Sequence, residues 1–328
     1  MNLLANPLAT AEQLYSRTSL SSTPQDLQES VFIATQCLTQ AAGRLLELPQ
    51  SVTARANVIL ARYWLLESPM AHEFSDVSAA ALYLTAKLSP TPRSPRDLSN
   101  VFAYLLSRDS ALFRPTTTST TDSSKSDSHN NPASYYVPEA DYYAFRQRVF
   151  GLEARILRAL GFDTRVALPH PLAITYLQAL DFLSHDRRAI SLRALQHLNT
   201  ALLSPQLLYL THQPHALAAA AIYAAARDLG AKMPECEWWE VFDVDREELG
   251  FLVVGMRSLE GWMRARREEL PRWGGERGAM LTRAAVEEEV RRRRQRDEGG
   301  GGHDGADGRG AQHDEGAGGG RAGGVNGK

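Results

Sequence analysis

Cysteine is nearly absent: Cys37 and Cys236 are the only two in 328 residues. Two thiols so far apart, with no C-x-x-C spacing, build neither a disulfide framework nor a zinc ribbon, and they fit a reducing compartment. Excess charge of one sign is lacking too. Thirty-six Lys and Arg stand against 38 Asp and Glu, a net of -2, so the chain as a whole is no polyanion binder, although a local basic patch is allowed. No apolar run reaches the length of about eighteen residues that a membrane-spanning helix needs. Met1 to Thr10 has no basic segment followed by a long apolar stretch, as a secretory signal would. Together these absences imply an intracellular, soluble protein. No segment alternates apolar and polar residues with β-branched enrichment, so strands are not expected. No G-x-S-x-G, P-loop or kinase signature occurs, and no catalytic machinery is visible.

What is present is apolar and helical. Hydrophobic residues make up 43% of the chain, and the length suits two domains of ordinary size with something extra. Pro115 to Pro132 is mostly Thr, Ser, Asp and Asn, too polar to offset its ordering entropy, and reads as a disordered insertion. From about Asp297 the chain is mainly Gly, a flexible tail. Elsewhere helix starts are marked. Thr23-Pro24-Gln25-Asp26 and Ser94-Pro95-Arg96-Asp97 place a hydroxyl at the N-cap, Pro at N1 and an acid at N3. Asp245-Arg246-Glu247-Glu248 has similar logic. Gly161 and Gly230 follow apolar-periodic runs and suit the left-handed position after a helix.

Helices are predicted at roughly 24–47, 49–67, 74–89, 95–108 and 139–160. A second set is predicted at roughly 169–184, 186–203, 214–229, 236–243 and 245–269. The sets echo each other. Ala79-Ala80-Ala81-Leu82-Tyr83-Leu84-Thr85-Ala86-Lys87 aligns with Ala219-Ala220-Ala221-Ile222-Tyr223-Ala224-Ala225-Ala226-Arg227, each the third helix of its set. A helix apolar nearly all round is enclosed by others, and small side chains let its neighbours approach closely. An internal duplication of a five-helix unit with a central helix follows.

Those residues resemble the cyclins, and within them the transcription-linked group, most of all cyclin L. Four segments carry the resemblance: Gln40 to Gln50, Val77 to Leu98, Leu152 to Phe162, and Pro169-His170-Pro171 with Tyr176-Leu177-Gln178 and Trp239 to Glu248. It covers about Leu27 to Arg267, less the insertion. The fold it implies is all-α. A first cyclin fold over 24–163 would carry a disordered insertion at about 110–137, and a second fold would span 164–270. An Arg- and Gly-rich flexible tail would occupy 271–328.

The function implied is a regulatory and activating subunit of a cyclin-dependent protein kinase, not itself an enzyme and without a cofactor. It would act in the nucleus in RNA polymerase II transcription or pre-mRNA processing. Lys87 and Glu153 match the pair with which cyclins contact the kinase's mobile regulatory helix and the segment before it. Many cyclins follow this Lys, one residue later, with two glutamates; here the run is Lys87-Leu88-Ser89-Pro90, so those acids are missing.

Other features are candidate sites. Glu287-Glu288-Glu289-Val290 precedes Arg291, Arg292, Arg293, Arg294 and Arg296, an arrangement that favours a solvated helix face. The same arginines are a candidate nuclear localisation signal, with an RNA contact as the alternative. The tail has almost no serine, so the splicing role of arginine-serine tails in animal members of the resembled family is not carried over. Thr120, Thr121, Ser123 and Ser124 can accept phosphate, as any such loop can. His170, His212 and His215 lack metal-ligand spacing, and Trp238, Trp239 and Trp262 suit packing. Contact with transcription or splicing machinery is an expectation; a membrane partner or direct nucleic-acid binding is not. The rival reading is a protein related to transcription factor IIB, which uses the same duplicated fold on DNA. It is disfavoured by the missing zinc ribbon and by a folded part that is not strongly basic.

Overall fold

A computed structural model of the chain describes residues 4–19, 23–107, 110, 112, 135–181, 187–273 and 280–300. Most of the expected insertion, with Thr120, Thr121, Ser123 and Ser124, and the chain beyond 300 lie outside the described residues. The elements are α1 (Ala11–Ser19), α2 (Gln25–Leu45), α3 (Gln50–Leu66), α4 (Phe74–Lys87), α5 (Pro95–Leu105), α6 (Glu139–Ala159) and α7 (Pro169–Ala179). They continue with α8 (Arg187–Ala201), α9 (Leu208–Thr211), α10 (Pro214–Leu229), α11 (Arg246–Trp273) and α12 (Arg283–Gly300). No strand occurs among the described residues.

Local signals account for several boundaries. Ser94 is the N-cap of α5, its hydroxyl accepting from the Asp97 N–H at 3.1 Å, with Pro95 at the first helical position. Gly161 and Gly230 take left-handed backbone at φ +55° and +67°, where a Cβ would be strained, and end α6 and α10. The first Thr-Pro signal works differently: Pro24 itself is the N-cap of α2, with no side-chain bond. Thr23 is buried, and its carbonyl accepts from Gln28 Nε2 at 2.7 Å.

Packing follows the duplication. α4 lies among α2, α3, α5 and α6, and α10 lies among α7, α8 and α11. Ala79, Ala80 and Ala81 are fully buried in α4, as are Ala218, Ala219, Ala220 and Ala221 in α10. Methyl-sized side chains let these central helices touch neighbours on every side. α2 and α3 cross closely at Gly43, where an added Cβ would overlap the Thr53 side chain.

The structure departs from expectation in four places. The helix expected at 236–243 is only a 3-10 turn, Glu240–Phe242, closed by Asp243 at φ 56°. Aromatic packing holds it so: Phe242 stacks on Tyr176 at 3.9 Å, and Trp238 is buried against Tyr223. Residues 206–211, expected as a loop, contain α9. α1 was not expected. The tail expected from 271 begins later, because Met280, Leu281 and Val286 are buried in the core and the Arg283 N–H donates to Glu73 Oε1 at 3.3 Å. One compact unit runs to Val290, holding both folds, and Arg291 onward forms a second.

The two folds are stitched together. Arg266 on α11 pairs with Glu29 on α2 at 3.3 Å. Gln50 Nε2 at the start of α3 donates to Asn199 Oδ1 on α8 at 2.9 Å. Asn6, only 6% exposed, binds both sides of the junction. Its side-chain amide pairs both ways with the Ala167 backbone at 2.8 Å, and its own backbone pairs both ways with the Gln213 side chain at 2.9 and 3.0 Å. Such reciprocal amide pairs give each amide both a donor and an acceptor partner.

Candidate functional site

The fold brings Lys87 and Glu153 together across 66 residues of sequence. Lys87 ends α4, a position the helix dipole favours for a cation. Glu153 sits two-thirds of the way along α6, which packs on α4. Lys87 Nζ lies 3.1 Å from Glu153 Oε1. The two ends are unequal: the Lys87 side chain is 56% exposed, that of Glu153 only 11%. The carboxylate is thus set into the surface and the ammonium stands over it. Hydrogen bonding to Glu153, and then its charge, raise the Lys87 ammonium above the usual lysine range, so it is fully charged at neutral pH. Arg155 and Arg158 lie on the same helix as Glu153, yet the partner observed for its carboxylate is Lys87.

Aromatic side chains extend this face. Tyr83, one turn before Lys87, stacks on Phe150 of α6 with ring centres 5.5 Å apart. The Lys87 ammonium lies 5.8 Å from the Tyr83 ring, and the Arg146 guanidinium 5.1 Å from Phe150. Tyr83 and Phe150 are half-buried. Sequence reasoning missed this pair; its signal was an aromatic four residues before Lys87 and another three residues before Glu153.

The turn after Lys87 is built without the two acids. The Ser89 hydroxyl donates to the Ala86 carbonyl at 2.8 Å and accepts from the Thr91 N–H at 3.1 Å, closing the end of α4. Arg93 then reaches back to α2, its Nε donating to the Leu46 carbonyl at 2.6 Å and Nη2 to the Glu47 carbonyl at 3.2 Å. Those carbonyls end a helix and lack partners of their own, so the guanidinium both satisfies them and meets the negative end of the dipole. The α4–α5 turn is thereby tied to α2.

The remaining candidates lie apart. Arg291, Arg292, Arg294 and Arg296 are exposed on α12 and Arg293 is half-buried, a helical face as the acid-before-base pattern implies. His170 Nε2 lies 2.9 Å from Asn199 Oδ1, and His212 bonds Thr211 and stacks on Phe251. Trp238 is buried, with Trp239 and Trp262 packed against the core.

No protein-family model matches the chain. It is 32% identical over 218 residues to an uncharacterised cyclin-L1-like protein of Schizosaccharomyces pombe, a match covering 65% of this chain and 76% of that one. To cyclin-L2 of Homo sapiens it is 29% identical over 259 residues, 78% of this chain and 45% of the relative, so it spans under half of that protein's length. Its fold is similar to a chain of the yeast RNA polymerase II CTD kinase complex, with a TM-score of 0.60 at 16% identity, covering 88% of this chain and 84% of the other. Duplicated five-helix units, each round a buried alanine-rich helix, and a third of positions shared over three-quarters of the fission-yeast relative lead to one conclusion: the chain belongs to the cyclin family, among its cyclin-L-like members.

Proposed function

We propose that this chain is the regulatory and activating subunit of a cyclin-dependent protein kinase, acting in the nucleus on RNA polymerase II transcription or pre-mRNA processing, and that it supplies no catalytic group itself. The observation that carries this reading is the Lys87–Glu153 pair, 3.1 Å apart at the mouth of the α4–α6 packing. An ammonium has three donors. One is held by Glu153, which aims the others outward at carbonyl oxygens of a docked segment, while the second carboxylate oxygen can accept from amides. A kinase becomes active when its mobile helix swings in so that its own Glu meets the active-site Lys. A rigid partner surface fixes that position, and the turn tied by Ser89 and Arg93 supplies rigidity next to Lys87. The arginines from Arg291 to Arg296 are the proposed nuclear address.

The test is capture of the full chain from cell extract, identification of the co-purifying kinase, and reconstitution from purified parts. Phosphotransfer by that kinase should rise by orders of magnitude when the chain is added. A kinase equally active alone would sink the reading.

A further inference from the structure

Beyond the kinase-docking face, and independent of it, the junction of the two folds holds a second surface. A cleft of about 580 Å³ opens between the start of α3, the linker 166–168, and α7 with α8. Its walls are aliphatic: Leu168, Leu172 and Leu195 line it, and so do Leu4 and Leu192, which remain 58% and 53% exposed. Large aliphatic side chains left that open beside one another are an unsatisfied surface. The cleft is also preformed. Asn199 Oδ1 is shared by Gln50 Nε2 and His170 Nε2, each at 2.9 Å, across α3, α8 and α7, and Asn6 holds the linker from the other side. A site of this size, mostly apolar and rigid before binding, has the features of a ligand site rather than a packing defect.

One charge stands at its edge. Arg55 is exposed and, among the described residues, has no hydrogen-bond or ion-pair partner. Among the described residues no carboxylate lines the cleft, and Arg55 is the sole ionised side chain there at neutral pH. The same guanidinium borders a neighbouring cavity of about 740 Å³, where the one carboxylate among the described residues, Asp163, is already taken by Arg165 at 3.0 Å. The occupant therefore combines an aliphatic group with an anion. A nucleic acid fits badly: among the described residues no Phe, Tyr or Trp lines either cavity to stack a base, and Arg55 with an Arg165 already held by Asp163 makes no phosphate track.

We propose that this cleft docks an extended segment of a partner protein, placing leucine-like side chains between α7 and α8 and an Asp or Glu against Arg55.

The test titrates the full chain with fluorescein-labelled twelve-residue peptides carrying two leucines followed, at spacings of one to four residues, by Asp or Glu. Controls replace the acid with Lys or the leucines with Ser, and a twenty-nucleotide single-stranded RNA is titrated alongside. At least one spacing should bind saturably, weakened tenfold or more by Arg55→Glu and by Leu192→Asp. Both substitutions fall on exposed side chains, and a melting curve confirms that each variant folds. Lys87→Ala should leave peptide binding unchanged, which separates this site from the kinase face. Photo-leucine in the bound peptide should cross-link to residues of α7 or α8. Absence of saturable binding at every spacing, equal affinity for Arg55→Glu, cross-links confined to α4 and α6, or RNA competing at the same site would each overturn the proposal.

Discussion

At the scale of the residue, Lys87 and Glu153 separate binding from stability. Truncating one partner of a desolvated polar contact costs about 2–5 kcal/mol of binding, since its counterpart stays buried and unpaired. Lys87→Ala and Glu153→Ala should each weaken kinase binding at least tenfold, because ~1.4 kcal/mol already gives that factor. Lys87 is more than half exposed, so its loss should leave the melting temperature nearly unchanged. Glu153 is set into the surface, so its variant should melt slightly lower. Lys232, whose one ion pair among the described residues is with Glu235 on an open surface, is the control. Arg193 would be a poor one, because it shares Asp228 with His197 and Arg257. A titration with a melting curve for each variant checks this; unchanged binding for both would move the docking face elsewhere. Histidines give a second prediction. Burial pushes His72, His170, His197 and His212 below the usual 6.5. As pH falls past about 6.5 the unfolded chain takes up protons before the folded one, so stability is full above that pH and declines below it. Glu73, whose carboxyl is pushed up by burial, pulls the other way as it takes up its proton. Melting from pH 8 to 5.5 should therefore drop for the parent and drop less for His197→Gln; equal slopes would exclude His197 from the effect.

At the scale of the element, the central helices were legible because composition alone forces their environment. A run such as Ala218 to Ala221 has no polar face to offer water, and burial on all sides is what remains. Ala81→Phe and Ala221→Phe should each overpack the core, destabilising by about 1–3 kcal/mol or more. Thermal melts that match the parent would place those helices at the surface. Other elements were less legible for physical reasons. α1 carries a reciprocal capping box, Thr10 and Gln13, at 2.9 and 3.2 Å, but nine mostly polar residues form a helix only when packed against something. α12 has Thr282 as its cap, 3.3 Å from the Ala285 N–H, with few apolar residues to mark it. The turn at 240–242 reads as a helix locally and is overridden by rings from α7 and α10. Lys87 and Glu153 came from resemblance; neither periodicity nor charge pattern distinguishes a docking lysine from a solvated one.

At the scale of the molecule, the base of the tail belongs to the folded unit. Met280, Leu281 and Val286 are buried, each contributing roughly 1.5–3 kcal/mol at full burial. A chain ending after Val290 should melt like the parent, whereas one ending after Pro271 should melt several degrees lower. Identical melting of the two truncations would show that residues 280–290 do not hold the core. Nuclear enrichment should fall in both, because both lack Arg291 to Arg296.

Asn6 also sets an order of events in time. Its partners Ala167 and Gln213 lie 161 and 207 residues further along the chain. Synthesis runs at about 5–20 residues per second, so on the order of ten seconds or more separates the making of Asn6 from the making of Gln213. Residues 4–10 must wait, unsettled, while the whole first fold and the linker are completed. Contacts of such long span are the slow ones to form. In pulse-labelled hydrogen exchange the amides of Asn6 and of Ala9, which donates to the Leu210 carbonyl at 2.7 Å, should gain protection last, after those of α4 and α10, so that closure of this segment marks the moment at which both folds are in place.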